Sequence, residues 1–309
     1  MKTPPCPLRL GTRGSPLALV QARLVAAALC DAQGWDLASI EIVPVKTTGD
    51  RVQDRPLAEI GGKALWTKEL DRALTGGEID FAVHSMKDVE TIRPHGIAIA
   101  AMLPRADVRD RLVGATSIEA LPQGARIGTS SPRRAAQLRH LRPDVSIVPF
   151  RGNVDTRLRK LAEGEADATL LAAAGLDRLS RGDVGHAVAI DVMRPAPAQG
   201  AVGIEARADD AATLALLAAI DDFATRSCVL AERALLAALG ADCHSPVAAL
   251  ARIDGGTIAI VAELLSEDGA HKCADRLSIH AGRPDEAGAL ADRLLAQAPA
   301  ELARLFTGR

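Results

Sequence analysis

Aromatic residues are almost missing from this 309-residue chain: four Phe, two Trp and no Tyr, 2% in all. A core built on such a sequence has to be packed from Ala, Leu, Val and Ile. Stacking platforms for single-stranded nucleic acid are excluded with the aromatics. Charge of one sign is lacking too. The 37 Lys and Arg nearly balance the 39 Asp and Glu, leaving a formal net charge of −2, so no overall field draws the protein to nucleic acid or to a membrane. Any anion site must come from local clusters of basic residues. No stretch approaches the roughly 18 apolar residues of a membrane helix. The proline-interrupted start, MKTPPCPLRLGTR, holds no apolar run of signal-peptide length. The cytoplasm is the expected compartment.

Paired cysteines are a further absence. Cys6, Cys30, Cys228, Cys243 and Cys273 are odd in number and widely spaced, which argues against a disulfide scaffold. No Cys-x-x-Cys or His-x-x-x-His spacing occurs, so no metal is expected. Cys30 and Cys228 fall in helical patterns and read as small buried hydrophobes. Cys243 alone lies in a loop-like string, Gly240-Ala241-Asp242-Cys243-His244-Ser245-Pro246. There it could be a nucleophile, a metal ligand, a covalent anchor or a plain turn residue. A contiguous Asp-Cys-His is not expected to work as a triad, because neighbouring side chains diverge and triads assemble from distant segments.

What is present is a soluble globular composition, 48% hydrophobic and 25% charged, long enough for about two domains. Leu8–Thr12 reads as a strand. Ser15-Pro16 then opens a helix that stops at Gly34. Ile40–Val45, Ile79–His84 and Ile97–Met102 read as strands, with a helix over Ala64–Leu74. The same grammar restarts at Arg126–Thr129, with Ser131-Pro132 opening the next helix, then Val145–Phe150, Val154–Glu163 and Ala168–Ala172. Two similar α/β layers with largely parallel sheets are expected. Met193–Gly200 looks like a return linker, so the second layer is inserted into the first and ligands bind in the cleft between them. From Asp221 the pattern changes. A helix over Ala224–Leu239 is followed by strands Val247–Ile253, Ile258–Leu265 and Lys272–His280 with Gly-containing turns, an antiparallel meander. One helix over Pro284–Phe306 closes the chain.

Both Ser-Pro helix starts offer free N–H groups and a positive dipole end to an anion, with Arg13 beside the first and Arg133 and Arg134 beside the second. Arg151 and Arg157 follow a strand end. Guanidinium forks suit carboxylates and phosphates. Val83-His84-Ser85-Met86-Lys87-Asp88-Val89 leaves the carboxyl end of a strand, where open α/β sheets bind ligands. His84 there reads as a satisfied strand-end histidine.

Eight ordered strings carry a family resemblance: Thr12–Leu19, Pro56–Lys63, Ala82–Val89, Ile127–Arg134, Arg151–Val154, Ala173–Leu176, Gln199–Glu205, and Leu230–Arg233 leading to Cys243. Together they resemble the porphobilinogen deaminases, also called hydroxymethylbilane synthases. The resemblance implies three domains. Two are α/β domains like periplasmic binding proteins, with residues 1–103 and 199–220 forming the first and 104–198 inserted as the second. Residues 221–309 form an α+β domain with a three-stranded antiparallel sheet. It also implies a monomer that binds neither nucleic acid nor membrane. Its substrate is porphobilinogen, four units of which are added to a dipyrromethane cofactor joined by a thioether to Cys243. One ammonia is lost per unit, and the linear tetrapyrrole is then hydrolysed off. Asp88 matches the family carboxylate that takes pyrrole N–H groups. Lys87, Asp88, Thr129, Ser131, Arg133 and Arg134 are implied on the cofactor side. Arg13, Ser15, Gln21, Arg151, Arg157, Arg178 and Gln199 are implied on the substrate side. The family usually has two glycines before the cysteine, where this chain has Ala241 and Asp242. A positive φ there would strain Ala241 and be better tolerated by Asp242. Ser245 stands where a β-branched residue is usual, Glu59 where some relatives have Lys, and Ala64 at a common glycine.

Overall fold

The structure, a computed structural model, describes residues 7–46 and 67–307. The Pro56–Lys63 string, Glu59, Ala64 and the start of the expected 64–74 helix lie outside the described residues. The chain divides into two compact units. One holds the residues up to Ala106 together with Ala201–Arg226; the other holds Asp107–Gly200 and the residues from Ser227 onward.

In the first unit, strands β1 (Leu8–Arg13), β2 (Ile40–Val45), β3 (Phe81–Ser85) and β4 (Ile97–Met102) are joined by β10 (Val202–Arg207). The sheet order is β2-β1-β3-β10-β4. β1 runs parallel to β2 and β3, whereas β10 runs antiparallel to both β3 and β4. The sheet is therefore mixed. Helix α1 (Pro16–Gln33) begins where the sequence places it. Ser15 Oγ accepts the Ala18 N–H at 3.3 Å, and Gly34 closes the helix in the left-handed region at φ 66°. Such a cap is worth about 1 kcal/mol. Val25 and Leu29 of α1 pack on Leu10, Phe81, Val83 and Ile204 of the sheet. Helix α2 (Lys68–Thr75) buries Leu70 and Leu74 against Ile79 and Ala82, and α6 (Ala211–Leu217), which follows β10, adds Leu217 to the core beneath α1.

The second unit repeats the plan. Its five strands are β5 (Asp110–Val113), β6 (Arg126–Gly128), β7 (Ser146–Val148), β8 (Ala168–Ala172) and β9 (His186–Ala187), ordered β7-β6-β8-β5-β9. Here β6 is parallel to β7 and β8, and β5 is antiparallel to β8 and β9. Taking β6 as this sheet's first strand, the positions match those of the first sheet one for one, with an antiparallel strand in the fourth place. Helix α3 (Pro132–Leu141) starts at Ser131, whose Oγ accepts the Arg134 N–H. Helix α4 (Val154–Ala162) is capped by Asn153 Oδ1. α5 (Ala173–Arg178) follows β8 directly. Gly128 is required because a Cβ there would sit 2.4 Å from the Phe150 ring.

The same unit contains the C-terminal meander: β11 (Val247–Asp254), β12 (Thr257–Leu265) and β13 (Lys272–His280), antiparallel in that order. The sheet packs on α7 (Phe223–Ala238) and α8 (Ala289–Gln297) through Leu235, Ile258, Ile260, Leu264, Leu290 and Leu294. The expected single final helix is broken. α8 ends at Ala298, which is extended (ψ 143°), and α9 (Ala300–Thr307) starts afresh. Pro299 supplies the reason. It has no N–H to continue the ladder, and it drives the residue before it out of helical geometry. Glu263 of β12, 4% exposed, ties the meander to the second α/β layer. It accepts from Gln137 Nε2 at 3.3 Å and Arg194 Nε at 3.2 Å, with Lys272 Nζ at 3.1 Å.

Candidate functional site

Within the first unit, four expected residues come together. Arg13 at the end of β1, Ser15 at the helix cap, Gln21 on α1 and Asp88 after β3 line one pocket, with His84 and Ser85. The β3 strand and its parallel neighbour β1 deliver these side chains from adjacent carboxyl ends. Lys87 and Asp88 lie on a single 3₁₀ turn, Met86–Asp88, and are half-buried. The turn is pinned by Met86, which is 1% exposed and whose N–H donates to Ala201 O at 3.1 Å. Gly203 makes room for it: a Cβ there would lie 2.0 Å from Met86 Sδ. Gln21 is buried, and its Nε2 donates to Ser85 Oγ at 2.8 Å. Ser85 lies inside a string the resemblance picked out, yet nothing in the sequence separated it from its neighbours.

His84 Nε2 lies 3.2 Å from Glu205 Oε2, close enough for an ion pair but outside hydrogen-bond geometry, so the expected satisfied strand-end histidine is not what the structure shows. Arg93 Nε and Nη2 donate to both Glu205 oxygens at 2.8 and 2.9 Å. Burial opposes ionisation of Glu205, but the His84 and Arg93 contacts outweigh it and hold the carboxyl down at about 2.

In the second unit, Arg133, Arg134 and Gln199 converge on one residue that the sequence did not single out, Asp110. Arg133 Nη2 donates to Asp110 Oδ2 at 2.8 Å, Arg134 Nη2 to Oδ1 at 2.7 Å, and Gln199 Nε2 to Oδ1 at 2.9 Å. All four are buried. Desolvation opposes the charge on Asp110, but the two guanidiniums hold its carboxyl far below the usual carboxylate range. Arg133 is itself lowered, first by burial. Its partners lie 23 and 24 residues along the chain, a spacing with no sequence signal.

The other expected arginines keep part of their donor set at protein oxygens. Arg157 Nε donates to Gly152 O at 3.0 Å, and Arg178 Nη2 to Gly200 O at 2.8 Å. Burial lowers Arg178. Thr129 is buried, and its Oγ1 accepts the Ser131 N–H at 3.2 Å. Among the described residues, Arg133 Nε, Arg134 Nε and Arg151 Nη1 are buried donors with no partner. Unsatisfied cationic donors of this kind suit a bound anion, since an orphaned buried donor carries a desolvation cost that an acceptor removes.

Cys243 is exposed, and Cys30, Cys228 and Cys273 are buried. The loop before Cys243 corrects the worry over lost glycines. Gly240 alone carries the positive φ, 60°; Ala241 and Asp242 do not. The Gly240 N–H donates to Ala237 O and the Ala241 N–H to Leu236 O, closing the helix end and burying Ala241. The expectation that neighbouring side chains diverge is also overturned. His244 Nδ1 lies 3.5 Å from both Cys243 Sγ and Asp242 Oδ1. The tight turn, in which Asp242 Oδ1 accepts the His244 N–H at 2.9 Å, folds the three side chains onto one side.

Comparison with known proteins agrees along the whole chain. A family model described as porphobilinogen deaminase, dipyromethane cofactor binding domain, matches residues 8–215, and its C-terminal domain matches residues 226–298. A porphobilinogen deaminase of Sphingopyxis alaskensis is 58% identical over 99% of this chain and 98% of its own length. One of Paracoccus denitrificans is 50% identical over 97% of each. Among solved structures, a Salmonella typhimurium periplasmic binding protein of high arginine specificity aligns with a TM-score of 0.40 at 13% identity. It covers 72% of this chain and 94% of its own. The two family models and both relatives span the strings that bear the pocket, the Asp110 cluster and Cys243, and the chain belongs to the porphobilinogen deaminase family.

Proposed function

We propose that Asp88 is the catalytic carboxylate of a head-to-tail condensation of four porphobilinogen units, and that Cys243 anchors the primer on which they are assembled. Family membership makes the protein a transferase of tetrapyrrole biosynthesis, with porphobilinogen as substrate and dipyrromethane as cofactor. When bound, the dipyrromethane supplies a terminal pyrrole whose free α-carbon is nucleophilic. The observation that carries the assignment of roles is the pocket that gathers Arg13, Ser15, Gln21 and Asp88.

Each porphobilinogen brings an acetate and a propionate. Arg13 and the Ser15 helix start offer cationic and N–H donors to one of these arms. Gln21, fixed by Ser85, is placed to orient it. Asp88 accepts from pyrrole N–H, where positive charge develops as ammonia leaves and the new carbon–carbon bond forms. It can also hold the proton released when the ring regains aromaticity. In the first unit Lys87 is given a cofactor carboxylate to hold, and in the second unit Thr129, Ser131, Arg133 and Arg134 are given the same role. The orphaned Nε donors of the two arginines support this, while each Nη2 stays on Asp110. Arg151, Arg157 and Arg178 hold the carboxylates of the lengthening product. Gln199 acts through Asp110, to which its amide is committed. The near-neutral charge and scarce aromatics support a protein with no nucleic-acid or membrane partner. Among the described residues no helix is long and apolar enough to cross a membrane. We place it in the cytoplasm as a monomer.

Intact mass of the purified protein tests the anchor: a covalent dipyrromethane adduct is expected, absent from Cys243→Ser. Asp88→Asn should keep the adduct and lose turnover. An unmodified mass with no porphobilinogen consumption would overturn the reading.

A further inference from the structure

Cofactor attachment needs the Cys243 sulfur to lose a proton, and a cationic neighbour favours that loss. The turn supplies a candidate. His244 Nδ1 lies 3.5 Å from the sulfur, and the same nitrogen is 3.5 Å from Asp242 Oδ1. Asp242 is itself held in place. Its Oδ1 accepts the His244 N–H at 2.9 Å, and its own N–H donates to Ser245 Oγ at 3.1 Å. Ser245 is 4% exposed, so the frame behind the turn belongs to the folded core, while Cys243 and His244 face solvent. The same Nδ1 thus faces both a carboxylate that can hold its N–H and the thiol sulfur.

We infer that His244 is a positioning residue for Cys243 during cofactor attachment: as an imidazolium held by Asp242, it presents its Nδ1–H to the sulfur and stabilises the thiolate that attacks. The inference rests on the reading that Cys243 is the attachment point. Among the described residues, the titratable groups facing the imidazole are Asp242 and Cys243. The Asp242 contact first, then the Cys243 contact, raise its basicity well above that of an ordinary histidine, against a smaller opposing effect of burial. That direction agrees with a ring that holds the proton.

The step balances without any oxidant or reductant. The sulfur–carbon bond forms to the methylene carbon of a porphobilinogen unit, and the aminomethyl carbon–nitrogen bond breaks. The thiol proton departs with the amine as ammonia. A cationic neighbour that favours the thiolate is a general way to activate a cysteine. Here it serves a single priming event rather than each turnover.

The test uses full-length protein produced without a porphobilinogen supply, so that Cys243 is unmodified. Wild type, His244→Gln and Cys243→Ser are given porphobilinogen at pH 7 and pH 9, and adduct formation is followed by intact mass. Alkylation of Cys243 by iodoacetamide is timed in parallel and located by peptide mass. Glutamine keeps a hydrogen-bonding amide but cannot carry the charge. Both reactions should slow on the order of tenfold at pH 7 in His244→Gln, and the gap should close toward pH 9, where hydroxide removes the proton. Equal rates at pH 7 overturn the inference. So does a deficit that persists unchanged at pH 9, or slow attachment with normal alkylation, since either describes a merely structural residue. An adduct on Cys243→Ser would overturn the anchor assignment and this inference with it. Normal rates in His244→Gln beside an adduct-free Cys243→Ser overturn this inference alone.

Discussion

Replacing Asp110 by Asn should cost this protein more stability than any comparably small change on its surface. Asp110 Oδ1 accepts from Arg134 Nη2 and Gln199 Nε2, and Oδ2 accepts from Arg133 Nη2. The side chains of the three charged partners are 0–6% exposed. An asparagine can turn its oxygen to the two-donor side. Its NH₂ then faces the Arg133 fork, so one donor meets another and two buried guanidiniums lose their only carboxylate in the triad. Breaking a buried pair in this way costs roughly 3–5 kcal/mol. For a cooperative unit of 150–250 residues each kcal/mol moves Tm by about 2–4 °C, so the expected fall is roughly 6–20 °C. The internal control is Asp107→Asn. Asp107 also holds an arginine, Arg109 at 2.7 Å, but their side chains are 23% and 47% exposed, where such a pair contributes about 0–1 kcal/mol. Thermal melts at 0.05 and 0.5 M salt read both variants. Salt should narrow the small Asp107 effect and leave the Asp110 effect in place, because buried charges are weakly screened. An Asp110→Asn protein melting within about 2 °C of wild type would refute the reasoning and return both guanidiniums to the ligand alone.

Asp88→Asn should lower kcat by roughly 10²–10³-fold, the usual loss for one preorganised electrostatic group, with the adduct still visible by mass. Gly203→Ala introduces a Cβ 2.0 Å from Met86 Sδ and should displace the Lys87–Asp88 turn. Porphobilinogen turnover should fall while the adduct mass is retained. Glu232 Oε2 accepts the Ala198 N–H and Oε1 the Ala251 N–H. Glu232→Gln turns an NH₂ onto one of these donors and should cost about 1–3 kcal/mol in urea unfolding. Glu205 has its folded pKa depressed from 4.5 to about 2, so its contribution to stability is complete above about pH 4.5 and disappears as pH falls toward 2. Glu205→Gln should flatten that part of the pH–stability curve, and an unchanged acid limb would contradict the assignment.

Local chemistry made much of this legible in the sequence. The Ser15-Pro16 and Ser131-Pro132 starts, the Gly34 stop, the alternating strand Ile40–Val45 and the strand Lys272–His280 are decided by neighbours a few residues away, and the structure places them as read. β5, β9 and β10 escaped. β5 and β9 are short, and β10 is buried almost throughout, so none shows a two-residue alternation. Pro299 was readable as a breaker, but the apolar spacing on both sides of it masked the break. At the site, Asp88 and Arg13 followed from strand ends meeting helix starts. Asp110 did not, because its value lies in partners from α3 and the 193–200 linker. Cys243 and His244 were judged by chain adjacency alone, which says nothing of how sharply a turn can fold.

The place of β10 in the first sheet has a consequence for synthesis on the ribosome. β3 and β4 do not pair with one another; both pair with β10. β4 ends at Met102 and β10 begins at Val202, so two nearly finished halves of a sheet wait while about one hundred further residues are made. At about 5–20 residues per second this is roughly 5–20 s. Throughout that interval β3 and β4 are open edges, and the inserted layer has time to form first. The first sheet therefore closes only after every strand of the inserted layer has been made, and the nascent protein has to be kept from pairing with the wrong strand until Val202–Arg207 arrives.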